Sequence, residues 1–387
     1  MPPSWRGFSR VSVDIDTAYV QGGYSLLVQP NGCAFAVLGA SRGNVRRCKV
    51  RSFVSAICLM PRHDNNFDFI RLAAATAVLV SHQYASSGLT FSGLGSLDLG
   101  VSGVHVFFTL SGYLIAASWQ RDPNLWRFLV RRVLRIWPGL IAMVLLTMWV
   151  LGPIVTTLPW RDYVADPQTW AYARAMKVVS LGGSLPGVFE GMPHNGVVNA
   201  SLWTLPIEVR WYVILAVLGL AGLLNRAATL PILLGLLTVY VQGFLPPHAG
   251  QETLVLGQFF LAGAVLGQFR HLWVDKALPM ACAGAVLWIA TVAGYLAPGL
   301  LVLAIPLASM GLGVHGLPYL RRFGRFGDFS YGLYIYGFPI QQAITQFGVM
   351  KAGWSFGAGM AVSFLITLAM AVLSWHGVEK IALRFKP

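Results

Sequence analysis

Phe67-Asp68-Phe69-Ile70-Arg71-Leu72-Ala73-Ala74-Ala75-Thr76-Ala77-Val78-Leu79-Val80-Ser81-His82 decides the class of this chain. Arg71 and His82 stand eleven residues apart. At about 100° per residue that is almost three whole turns, so both project from one stripe of a helix. Asp68, three residues before Arg71, falls on nearly the same stripe. His82 lies fourteen residues beyond Asp68, about 21 Å along a helix that rises 1.5 Å per residue. Ionisable groups inside an apolar span are costly and normally face a protein-lined or wet interior, so this row reads as a functional site.

The rest of the chain supplies the membrane setting. Its 387 residues are 56% hydrophobic and 11% charged, with a mean hydropathy of +0.63. Soluble domains carry about 25% charge. Apolar stretches long enough for the ~30 Å hydrocarbon core recur near 68–87, 103–119, 138–156, 203–222, 228–244, 252–270, 278–295, 299–314, 329–347 and 355–376. The expected fold is therefore an all-α integral membrane bundle of about ten transmembrane helices with both termini cytoplasmic. Alternating strands of the barrel type are absent from the pattern.

The net charge of +14 is read as loop arginines that orient helices, and no nucleic-acid partner is expected. With the N-terminus inside, the inner loops carry Arg121, Arg127, Arg131, Arg132, Arg135, Arg226, Arg270, Lys276, Arg321, Arg322, Arg325, Lys380, Arg384 and Lys386. The outer loops carry Arg161, Arg174, Lys177 and Lys351. The long outer loop, about 157–202, holds Trp160, Trp170, Glu190 and His194. Cys33, Cys48, Cys58 and Cys282 form no C-x-x-C, so neither a zinc site nor a disulfide framework is indicated, and no metal is expected. Residues 1–59 are polar and basic without sustained periodicity. They read as a disordered extension or a mis-assigned start, ahead of a transmembrane domain at 60–387.

Five segments carry the chemistry. In the first, a neutral His82 imidazole in a partly dry cavity suits a general base, with Arg71 and Asp68 near the inner mouth. The second is Arg127 with Arg131-Arg132-Val133-Leu134-Arg135-Ile136-Trp137-Pro138. Guanidinium forks are good phosphate ligands, although such arginines also fix topology. There Arg131 and Arg135 are expected to share a face, with Arg132 pointing elsewhere. The third is Gly103-Val104-His105-Val106-Phe107-Phe108-Thr109-Leu110-Ser111-Gly112-Tyr113. Ser111 has no nucleophile elbow, the small residues suit close helix packing, and His105 is expected at a depth like that of His82. The fourth is Ser201-Leu202-Trp203-Thr204-Leu205-Pro206-Ile207-Glu208-Val209-Arg210, where Glu208 pairs with Arg210 or reaches the His82 region. The last is Ser330-Tyr331-Gly332-Leu333-Tyr334-Ile335-Tyr336-Gly337, followed by Gln341 and Gln342 as polar groups within the span.

In order and spacing these segments resemble the acyltransferase 3 family of membrane-bound O-acyltransferases, over Asp68 to about Arg384. The elements are D-x-x-R…H, G-V-x-x-F-F-x-L-S-G-Y, R-R-x-x-R-I-x-P, S-L-W-T-L-P-x-E and S-Y-x-L-Y-I. The resemblance implies transfer of an acyl group, often acetyl, from cytoplasmic acyl-CoA to a hydroxyl of a cell-surface or secreted carbohydrate. It makes the positions of Arg71 and His82 the ones needed for activity and sets Arg131, Arg132 and Arg135 where CoA arrives. Two features depart from the family's pattern: Gly337 stands where a histidine is common, and Glu379 is followed by Lys380 and Ile381 in place of a proline.

The expected enzyme, placed in a bacterial inner membrane, thus has His82, Arg71, Asp68 and Glu208 as its catalytic group. Arg127, Arg131, Arg132 and Arg135 hold acyl-CoA, a co-substrate rather than a tightly bound cofactor. His105, Trp203, Arg210, Tyr331 and Gln341 line the acceptor side. Membrane lipids, a lipid-linked form of the carbohydrate and polysaccharide-biosynthesis machinery are the expected partners. Direct transfer is favoured because no activated Ser or Cys is visible. The alternative is a transporter or flippase of a glycan or lipid-linked sugar, which would use the same polar cavity but expects paired repeats that the chain does not display.

Overall fold

The computed structural model describes residues 65–90, 98–178, 183–244 and 251–387, with the backbone of three strands nearer the start. The chain divides into two compact units, Met1–Arg62 and His63–Pro387. In the first, β1 (Ala18–Gln21), β2 (Tyr24–Val28) and β3 (Ala34–Leu38) form an antiparallel sheet in that order, with Ala18 opposite Leu27 and Tyr24 opposite Leu38. Beyond these strands, the reading of 1–59 as an extension falls outside the described residues.

The described residues of the second unit are helical. Each expected apolar stretch lies on a helix: α1 (Phe67–Ser86), α2 (Leu99–Arg121), α3 (Leu125–Val155), then, after two short helices α4 (Trp160–Ala165) and α5 (Pro167–Ala171), α6 (Thr204–Leu220), α7 (Thr229–Gly243), α8 (Glu252–Gln268), α9 (Ala277–Val292), α10 (Leu301–His315), α11 (Ser330–Ile344) and α12 (Phe356–Ser374). Among the described residues six helices are long and apolar enough to cross a membrane: α2 and α3; α6, α9 and α10 with their lead-in turns; and α12 with its continuation to Phe385. Exposed Ile232, Leu236, Val286, Ile289 and Leu365 on α7, α9 and α12 would be a liability in water and suit hydrocarbon.

Packing inside the bundle follows small residues. A Cβ on Gly112 of α2 would overlap the Phe260 carbonyl of α8, and one on Gly263 of α8 would overlap the Thr109 carbonyl of α2. Backbones this close need glycine on each side, the small-residue logic of helix association in lipid. Gly284 of α9 meets Ala308 of α10 in the same way. The core between these helices is dry, with Leu110, Leu140, Val144, Phe260 and Ile305 fully buried.

Two helix irregularities fasten the long segment between α3 and α6. Pro339 has no N–H for the Ile335 carbonyl, and Asn199 Nδ2 donates to that oxygen at 2.8 Å. A π-turn at Thr147–Leu151 interrupts α3, and the buried Tyr163 hydroxyl of α4 donates to Met148 O at 2.8 Å. At the other end, Asn66 N and Nδ2 donate to Gly313 O and Leu312 O, both at 2.8 Å, tying the start of α1 to α10.

Candidate functional site

Helices α1, α2, α3, α6 and α11 enclose a cavity of about 110 Å³. Its polar lining is Arg71, Ser111, Arg132, Arg135, Glu208, Tyr212, Tyr331 and Tyr334, set among Val104, Phe107, Phe108, Leu114, Ile136 and Leu205. Three guanidiniums therefore face one small space, held there by helix register and by a carboxylate just ahead of α11. Asp328 Oδ2 accepts from Arg135 Nη2 at 2.6 Å and from Arg71 Nη1 at 3.4 Å. Burial works against the Asp328 charge, yet Arg135 and then Arg71 outweigh it and hold the carboxyl at about 2. Arg71 also meets Asp68 at 3.3 Å.

Arg132 differs from the other two. No carboxylate lies within 4.0 Å of it among the described residues, and its Nε has no hydrogen-bond partner. Its guanidinium instead lies over the Phe128 and Tyr212 rings, at 5.9 and 6.0 Å. That leaves a cation on the cavity wall with no carboxylate in salt-bridge contact, Glu208 acting on it only from across the cavity. Arg135 lies 5.7 Å over the Tyr331 ring, and the Tyr331 hydroxyl donates to Ile136 O at 2.7 Å. The arginine cluster thus splits by face. Arg132 joins Arg135 on the cavity, whereas Arg131 and the exposed Arg127 pair with Asp122 at the helix start. The expected pairing of Arg131 with Arg135 is corrected: a carboxylate preceding the helix captures Arg131.

Glu208 is the cavity's own carboxylate. Its Oε1 accepts from Ser111 Oγ at 2.9 Å and from the Tyr212 hydroxyl. It pairs neither with Arg210 nor with His82. Two residues on, Arg210 points about 200° away around the helix, where it is exposed and donates to Thr253 Oγ1 at 3.1 Å.

His82 does not line this cavity. The Tyr334 hydroxyl lies 2.7 Å from Thr204 Oγ1, and Phe107 packs edge-on against the Tyr334 ring at 5.7 Å. One turn further along α11, the Phe338 ring lies 5.2 Å from His82 and 5.7 Å from His194. Ser201 Oγ is 3.4 Å from His82 Nδ1. The imidazole therefore sits one turn of α11 beyond Tyr334, against Phe338 and Ser201 and off the cavity wall.

The remaining expected residues are structural in placement. His105 is buried and stacks on Phe259 at 3.8 Å, facing α8. Gln341 Nε2 donates to Leu79 O at 2.6 Å and fastens α11 to α1. Trp203 packs against the core. None of His105, Gln341, Trp203 and Arg210 lines this cavity. Close packing claims the first three, and helix register claims Arg210.

Sequence reasoning missed Asp328, Tyr212, His194 and Ser201. Asp328 had a signal, since it stands two residues before the S-Y-x-L-Y-I element, and Tyr212 stands one turn after Glu208. Glu379, 2% exposed, accepts from Ser374 Oγ at 2.9 Å and lies 4.0 Å from Arg135. Among the described residues no cluster of His, Cys, Asp or Glu could hold a metal ion.

Known proteins share this arrangement's sequence. The acyltransferase domain profile matches residues 64–376. An O-acetyl transferase of Shigella phage Sf6 is 30% identical over 336 residues, covering 82% of this chain and 95% of the relative. Nodulation protein 10 of Rhizobium leguminosarum bv. viciae is 28% identical over 364 residues, covering 84% and 94%. No solved structure matches the chain. The helical bundle, the five ordered elements and the match across 64–376 make this chain a member of the acyltransferase 3 family.

Proposed function

We propose that the protein moves an acyl group, acetyl first among candidates, from acyl-CoA to a hydroxyl of a cell-surface or secreted carbohydrate. The observation that carries this reading is the Arg132 guanidinium on an internal cavity without a carboxylate partner, beside Arg135 and Arg71. Such a cluster suits the phosphates of CoA. The name of the Shigella phage relative, O-acetyl transferase, supports acetyl as the group moved.

The bundle on this reading crosses a bacterial inner membrane about ten times with both termini cytoplasmic. The lysine and arginine distribution supports that orientation. CoA enters from the cytoplasmic side, its phosphates on Arg132 and Arg135. Its acyl thioester points along the cavity towards Tyr334. The acceptor hydroxyl arrives from the outer loop, and His82 takes its proton. The hydroxyl oxygen attacks the thioester carbonyl, the C–S bond breaks, and the CoA thiolate leaves with a proton. Tyr334, bonded to Thr204 at the cavity edge one turn of α11 before the Phe338 that packs on His82, swings off Thr204 on this reading to let the thioester reach His82.

Purified protein incubated with labelled acetyl-CoA and a glycan acceptor tests this. Label moves to carbohydrate in the wild type, while His82→Ala and Arg71→Ala remain in the membrane and lose transfer. Wild-type levels of acylated product in either variant would refute the assignment.

A further inference from the structure

A second polar hollow lies in the segment between α3 and α6, well apart in character from the arginine-lined cavity. It measures about 380 Å³ and is lined by the polar residues Gln168, Ser184, Glu190 and Asn195 together with Leu185, Pro186, Val188 and two glycines. Its lining holds a carboxylate and two amides but no lysine, arginine or histidine. In a chain with 28 Lys and Arg against 14 Asp and Glu, that composition disfavours phosphate, CoA and acidic sugars. Planar amides and a carboxylate offer paired donors and acceptors that match neighbouring sugar hydroxyls.

The hollow is built before any ligand arrives. Gly191 N donates to Asn195 Oδ1 at 3.0 Å, and Gly196 N to Phe189 O at 3.1 Å. Thr156 Oγ1 donates to Pro186 O at 2.7 Å and Thr157 N to Gly187 O at 3.0 Å, fixing the turn to the end of α3. Phe189 is fully buried with φ 58°, a left-handed conformation that a non-glycine residue keeps only where its surroundings enforce it. Gln168 and Ser184 hydrogen-bond each other across the hollow.

The same turn reaches the surroundings of His82. His194, next to Asn195, places its ring 5.7 Å from Phe338, which lies 5.2 Å from His82. Gln342 Nε2 donates to Val197 O at 3.1 Å and pins the turn to α11. The hollow's Asn195 is thus next in the chain to a histidine that shares the Phe338 ring with His82.

We propose that this hollow is a subsite for a neutral sugar residue of the acceptor glycan, next to the residue that receives the acyl group. It rests on the acyl-transfer reading only for the fate of the bound sugar. Binding held on side chains away from the reacting atoms orients the acceptor hydroxyl.

Saturation-transfer NMR on the full-length protein in detergent tests it, with neutral tetrasaccharides of glucose, galactose, mannose or rhamnose beside tetragalacturonate. The expected result is signal from at least one neutral tetrasaccharide and at least fivefold less from tetragalacturonate. Glu190→Ala cuts the neutral signal at least fivefold, and Glu190→Lys raises the tetragalacturonate signal. Absence of any neutral binder, or unchanged signals in both Glu190 variants, overturns the proposal. Failure of the acyl-transfer reading is separately visible, as label that stays on CoA while these binding differences persist.

Discussion

Replacing Asp328 by asparagine removes the carboxylate that Arg135 and Arg71 share, at 2.6 and 3.4 Å. The carboxyl is held at about 2 against an ordinary 3.8. At 1.36 kcal/mol per unit, that depression corresponds to about 2.5 kcal/mol of stability. Asp328 is 11% exposed and its partners 22% and 23%, so solvent screens the interaction only in part. At about 2–4 °C per kcal/mol, the variant should melt about 5–10 °C lower in detergent, followed by intrinsic tryptophan fluorescence. The sign with pH follows from the depression. The native state binds the Asp328 proton less readily than the unfolded chain, so its contribution is full above about pH 4 and is lost as pH falls towards about 2. Wild type should therefore lose this increment between pH 4 and pH 2, and Asp328→Asn should not. Asp122→Asn is the comparison: Asp122 is 26% exposed and its partners Arg127 and Arg131 are 50% and 16% exposed, so solvent screens its pairs more than those of Asp328, at 11%. If Asp328→Asn melts no lower than Asp122→Asn at pH 7, the claim that this carboxylate organises the cavity arginines is wrong.

Two further outcomes follow from the cavity's lining. Arg132→Gln should raise the acetyl-CoA KM about tenfold, the ~1.4 kcal/mol of one charge-assisted hydrogen bond, while Arg127→Gln changes it less than about twofold; steady-state kinetics in proteoliposomes would read both, and equal effects would remove the reason for separating the two pairs. Thr204→Val deletes the partner of the Tyr334 hydroxyl. Release of free thiol from acetyl-CoA without acceptor should then rise, and an unchanged rate would show that this hydrogen bond does not hold water from the thioester.

The first helix was legible because Arg71 and His82 break an apolar run at helical spacing, a pattern that needs no neighbour to interpret. The Ser111-Gly112 segment was legible too, as a close helix contact, since small residues in lipid have few other uses. The arginine cluster was legible as a cluster but not by member. Arg131 and Arg132 both lie one turn before Arg135, and which of them shares its face depended on Asp122 capturing Arg131. His105 and His82 have the same chemistry and similar expected depth, yet one stacks on Phe259 and the other faces Ser201 and Phe338. Asp328 stood beside a recognised element, but its value comes from two guanidiniums on helices 193 and 257 residues distant.

The linear chain by itself determined an apolar helical bundle, its family and the residue types available for acyl transfer, because hydropathy, helical period and short motifs are properties of neighbours along the backbone. Tertiary structure decided which arginines face a common cavity, that Asp328 holds two of them, and that His82 stands off that cavity against Phe338 and Ser201. Those relations are set by contacts between helices far apart in the chain, where a turn of rotation moves a side chain onto or off a cavity wall.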